Sequence, residues 1–86
     1  MKIFFEKKML KQYWKLRTED RKRVDDAITL FRKNPFDATI KNHPLKGSMK
    51  GTRAISAGFD LRIVLKEHDG YVIVVMLAVG THEGVY

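Results

Sequence analysis

Apolar positions change their period along these 86 residues, and the changes mark out the elements. Ile3-Phe4-Phe5 forms a short apolar run of strand type. From Lys7 to Arg17 the residues Met9, Leu10, Tyr13 and Trp14 recur at helical spacing, with Lys7, Lys8, Lys11 and Lys15 on the rest of the cylinder. That pattern predicts a first amphipathic helix. Thr18 is placed to cap a second helix, with Glu19 and Asp20 in the first turn where the helix dipole favours anions. Its core stripe is Val24, Ala27, Ile28 and Phe31, at i, i+3, i+4 and i+7. The helix is expected to run to about Lys33, because Asn34 precedes Pro35 and is pushed out of helical backbone.

Residues 35–50 have the punctuation of a structured loop, with Pro35, Pro44, Gly47 and then Gly51, and Phe36, Ile40 and Leu45 are expected to pin it to the core. Strand periodicity follows in Thr52 to Ser56, a turn at Ala57-Gly58, and then Leu61 to Glu67. Here Leu61, Ile63 and Leu65 alternate with Asp60, Arg62, Val64 and Lys66. Asp69-Gly70 is a hairpin signal, and Tyr71 to Val79 is apolar on both faces, as in an inner strand. The order is β-α-α-β-β-β in a single domain spanning residues 1–86. This is an α+β fold with a helical hairpin packed on one face of a small, mainly antiparallel sheet and the other face free.

Composition narrows the classes of function. A chain this short has one core, and its expected radius of gyration is about 12 Å. Without cysteine there is neither a disulfide framework nor a thiolate metal site, and three scattered histidines offer no zinc-ligand spacing. The short apolar start followed by Lys7 and Lys8 lacks a signal-peptide core, and no run approaches the roughly 20 apolar residues of a membrane span. A soluble, cytoplasmic protein that avoids the membrane is expected. The net charge of +7 predicts attraction to polyanions, and it is concentrated in residues 1–17, where six Lys and Arg face one Glu.

The candidate chemistry lies after residue 42. Alternation turns Asp60 and Arg62 away from Leu61, Ile63 and Leu65, while Arg53 shares a face with Ile55. An Asp60/Arg62 pair alone is most simply an ion pair worth under about 1 kcal/mol. His43, before a proline, and His82, just past the last strand, alter that balance. Imidazole near its reference pKa of about 6.5 serves as acid or base close to neutrality. His68 stands in the hairpin without such company and is read as a turn residue. Lys46, Lys50 and Arg53 add donors suited to phosphate.

The segments HPLKGSMKGTR (His43 to Arg53), DLRIVL (Asp60 to Leu65) and GTHEGVY (Gly80 to Tyr86) resemble the bacterial RelE/ParE toxin superfamily, most closely its YafQ-type mRNA interferases. The resemblance implies a toxin of a type II toxin–antitoxin pair, with a RelE-like fold, that cuts mRNA on the translating ribosome. It implies a cognate antitoxin as partner, and contact with mRNA and 16S rRNA. The implied chemistry needs neither metal nor cofactor: a ribose 2′-OH attacks the adjacent phosphate, leaving a 2′,3′-cyclic phosphate and a 5′-OH. By position His43 and Asp60 match YafQ-type active-site residues, His82 the proton donor to the leaving oxygen, and Tyr86 a terminal aromatic. Arg62 matches a strand arginine of RelE-type members, and Arg53 stands where those have lysine. Ser56 replaces a histidine and Ile55 a lysine, so the proton acceptor stays open between His43 and Asp60. The row Lys7, Lys8, Lys11, Lys15 and Arg17 is either a solvated helix face or a dock for rRNA phosphate. Two other readings remain: a ParE-like DNA gyrase poison without nuclease chemistry, which shares the architecture but has no need of His43 and His82, and a degenerate toxin acting as a basic binding module, for which Ser56 and Ile55 speak.

Overall fold

The structure, a computed structural model, describes residues 1–81. After strand β1 (Lys2–Phe5), the helices α1 (Lys7–Lys15) and α2 (Thr18–Lys33) form the hairpin, and four strands follow. These are β2 (His43–Pro44), β3 (Arg53–Ser56), β4 (Leu61–His68) and β5 (Ile73–Thr81), with single 3-10 turns at Ala38–Ile40 and Gly47–Met49. The sheet order is β1-β5-β4-β3-β2. Only β1 runs parallel to its neighbour, β5, and the other pairs are antiparallel. The apolar last strand is therefore an inner one, as its sequence predicts. The two-residue β2 is an addition that periodicity could not reveal, since two residues carry no period. The radius of gyration is 11.7 Å.

The core lies between α2 and one face of the sheet. Val24, Ala27 and Phe31 of α2 are buried against Ile55, Ile63, Leu65, Val74 and Met76. Ile40 is also buried there, so it pins the long loop as expected, whereas Phe36 is 58% exposed. Phe36 instead lies edge-on to Tyr71 at 5.4 Å, outside the core cluster.

Helix α1 buries less than its pattern promises. Met9 is buried and Tyr13 is half-buried, but Leu10 is 42% and Trp14 67% exposed. The reason is where α1 lies. β1 covers β5 only from Ile73 to Met76, and beyond that point α1 takes over the edge, with Gln12 Oε1 accepting the Val79 amide at 2.9 Å. A polar residue thus faces the sheet, and Trp14 is turned outward. Its ring packs edge-on to Tyr13 at 5.1 Å, with the Arg21 guanidinium 5.4 Å from its centroid. Thr18 is the first helical residue of α2, and Arg17 holds the capping position; the Thr18 hydroxyl accepts from Arg21 Nη2.

Two further expectations change. The Asp69-Gly70 turn forms, but Tyr71 joins it with φ 70°, so β5 begins at Ile73. A non-glycine residue in left-handed backbone is held there by its surroundings. The Tyr71 amide donates to Glu67 Oε1, its hydroxyl accepts from Asn42, and its ring meets Phe31 and Phe36. The face away from the helices is also not bare: Ala54, Val64 and Ala78 point there and are buried. No helix among the described residues is long and apolar enough to cross a membrane.

Candidate active site

Strand register decides which polar residues meet. Ile55 faces Ile63 in the core, so the alternate positions Ala54 and Ser56 on β3, and Arg62 and Val64 on β4, face away from the helices. One cross-strand row runs His43, Ala54, Val64, Ala78 over four strands. The adjoining row is Ser56, Arg62, Gly80. His43 and Arg62 therefore share a face in adjacent rows, offset by roughly 7 Å along the strands and, with β3 between them, by about 10 Å across the strands. His43 is exposed at the sheet edge, whereas Arg62 is half-buried and donates from Nη1 to the Leu61 carbonyl at 2.9 Å.

His43 has a defined orientation. Its Nδ1 lies 2.9 Å from the carbonyl oxygen of Lys41. A carbonyl only accepts, so Nδ1 carries the hydrogen, and in the neutral ring Nε2 is left with its lone pair. Lys41 supplies that carbonyl from left-handed backbone, φ 49°.

Arg53 goes elsewhere. It pairs with Leu65, on the helix side, and does not stand beside Arg62. Its Nε donates to Asn42 Oδ1 at 2.7 Å and its guanidinium lies 5.6 Å from the centre of the Phe36 ring. Asn42 in turn donates to the Pro35 carbonyl and the Tyr71 hydroxyl. This network ties the residues just before His43 to the β4–β5 hairpin.

Asp60 precedes β4 and lies exposed in the β3–β4 loop rather than on the strand, so alternation does not govern it. It lines a surface cleft with Arg17, Arg23 and Thr81. Lys46 and Lys50 are exposed on either side of the Gly47–Met49 turn. Lys7, Lys8, Lys11 and Lys15 are exposed along α1, and Arg17 pairs with Asp20 at 3.5 Å. His82 and Tyr86 lie outside the described residues. Among the described residues no group of three or more His, Cys, Asp or Glu is placed to hold a metal ion.

Residues that sequence reasoning passed over complete the surroundings. A cleft of about 490 Å³ beside the β3 edge is lined by Ser56, Phe59, Arg62, Lys41 and, from α2, Arg23 and Asp26. Lys41 and Arg23 carried no motif signal. Phe59, next to a glycine in a turn, was legible only as an aromatic with no place in either strand.

No family model matches the chain, and no curated protein does. Solved structures do. A variant of YafQ from E. coli is 26% identical with a TM-score of 0.81, the match covering 98% of this chain and 96% of that one. YafQ in the E. coli DinJ–YafQ toxin–antitoxin complex is 25% identical, TM-score 0.79, over 98% and 94%. A YoeB/ParE toxin from Agrobacterium tumefaciens is 20% identical, TM-score 0.78, over 95% and 99%, and shows the shared fold. With this architecture over nearly its whole length, the chain has the fold of the YafQ-type toxins of the RelE/ParE superfamily.

Proposed function

We propose that the chain is the toxin of a type II toxin–antitoxin pair and a metal-independent endoribonuclease that cuts mRNA on the translating ribosome. The observation that carries the reading is the placement of an oriented imidazole, His43, and a guanidinium, Arg62, on one sheet face of a fold shared with YafQ. In the reaction the ribose 2′-OH gives up its proton as its oxygen bonds to the adjacent phosphorus. The bond from phosphorus to the 5′ oxygen then breaks, and that oxygen takes a proton. The products are a 2′,3′-cyclic phosphate and a 5′-OH.

Each role falls to a named group. The Nε2 lone pair of His43 faces away from the Lys41 carbonyl, which suits it to accept the 2′ proton. Asp60 is the alternative acceptor. Arg62 supplies fixed positive charge for the non-bridging oxygens, where charge builds in the transition state. His82 is the proposed donor to the 5′ oxygen and Tyr86 a ring for base stacking, both by resemblance. The exposed row of Lys7, Lys8, Lys11 and Lys15 is suited to rRNA phosphate, with Lys46, Lys50 and Arg17 as further contacts. The net charge of +7 suits an acidic antitoxin segment that masks this surface.

Primer extension on cellular mRNA after induction tests the reading. Discrete breaks support the nuclease, whereas DNA damage without such breaks identifies a gyrase poison and rejects it.

A further inference from the structure

Phe59 is 97% exposed, the most exposed large apolar residue among those described. Leaving such a ring in water forgoes the stabilisation that burying a large apolar side chain returns. The loop that carries it is nonetheless anchored. The ring stands in a three-residue loop, Gly58-Phe59-Asp60, closed at its base by the Ala57 amide donating to the Leu61 carbonyl at 2.9 Å. Gly58 has φ +85° and takes the stem of Arg23 against its backbone, so close that a Cβ would fall 2.8 Å from Arg23 Cδ. The loop is thus buttressed by α2, and Arg23 is itself held by Asp20 at 2.6 Å.

The surroundings are cationic. Phe59 borders the cleft of about 490 Å³, whose charged lining is Arg23, Lys41 and Arg62 against Asp26. Neither Lys41 nor Arg62 is ion-paired among the described residues. An exposed aromatic on a braced loop beside cations is the combination that binds single-stranded nucleic acid: every base has a face to stack, and its phosphate needs a counter-charge.

We propose that Phe59 is the stacking platform for an unpaired RNA base, with Lys41 and Arg62 holding the adjoining phosphates in the cleft beside it. The inference rests on the reading of the chain as an RNA-acting toxin. It adds a base-binding subsite on the opposite side of Arg62 from Gly80. Since a phenyl face has no hydrogen-bonding pattern, the subsite favours strong stackers over any one base.

The probe is a short single-stranded RNA, 2′-O-methylated so that it cannot be cleaved and carrying 2-aminopurine, titrated with the full-length protein. Phe59→Ala should weaken binding about 5- to 100-fold and abolish quenching of the 2-aminopurine, while leaving the salt dependence unchanged. Phe59→Trp should keep both affinity and quenching, and Lys41→Ala should lower the salt slope by about one phosphate. Wild-type affinity and quenching in Phe59→Ala overturn the inference, as does an effect of that variant confined to antitoxin binding. The two levels separate cleanly. Wild-type protein that cuts mRNA while Phe59→Ala binds RNA normally removes the subsite alone; wild-type protein that binds and quenches the probe but cuts no mRNA removes the nuclease and leaves the subsite.

Discussion

Ser56 stands directly opposite Arg62 across the β3–β4 ladder, on the face away from the helices. It is 7% exposed and borders the same cleft as Arg62. An imidazole at that position would lie beside the guanidinium, within the same row. Ser56→His should therefore raise the rate of mRNA cleavage at least about tenfold, a modest share of what a positioned general base contributes. An unchanged rate in a stably folded variant would remove Ser56 from the account of the site.

His43 and Asp60 compete for the role of proton acceptor, and their placement separates them. His43 is oriented by the Lys41 carbonyl, whereas no hydrogen bond with a described residue fixes the Asp60 carboxylate. His43→Ala should lose about 10²- to 10⁴-fold in cleavage rate, and Asp60→Asn much less. Single-turnover cleavage on programmed ribosomes measures both, and the reverse ranking would hand the role to Asp60.

Asn42 holds three partners, Arg53, Tyr71 and the Pro35 carbonyl. Asn42→Ala strands them in a half-buried setting, so a loss of about 1–3 kcal/mol is expected, toward the lower end because water reaches the site. Urea unfolding measures it. Stability equal to wild type would mean that the network contributes nothing net.

Tyr13 donates its phenolic hydrogen to Asp25 Oδ1 at 2.7 Å. That hydrogen bond, then burial and the Asp25 charge, raise its pKa above the ordinary 10.0, with Arg21 opposing. The folded state thus holds this proton longer than the unfolded chain. The contribution to stability is full below about pH 10 and is lost as pH rises through the folded-state value. Ultraviolet titration should show a late-ionising tyrosine that Tyr13→Phe removes, and identical curves would refute it.

The fold was legible where a pattern was long enough to carry a period. The α2 stripe, the alternation of Leu61, Ile63 and Leu65, and the Asp69-Gly70 turn each have one physical solution, and the structure adopts it. What was hidden depends on partners distant in sequence. Trp14 keeps its helical spacing yet faces water, because Gln12 is drawn to the Val79 amide left open by a short β1. Arg53 looked like a phosphate donor, but only the register shows it opposite Leu65 and bound by Asn42. On the site side, His43 and Arg62 were legible by motif and alternation, while Phe59, Lys41 and Arg23 meet only because the loop folds against α2.

Metal-free cleavage of mRNA, with Arg62 stabilising the charged phosphate, is what the proposed function requires. Its most direct test is the end chemistry of mRNA incubated with ribosomes and purified protein in the presence of chelator, wild type against Arg62→Ala. Wild type should leave 2′,3′-cyclic phosphate and 5′-OH ends, and a folded Arg62→Ala variant should be slower by about 10²- to 10³-fold. Intact mRNA with wild-type protein, or equal cleavage by Arg62→Ala, would contradict it.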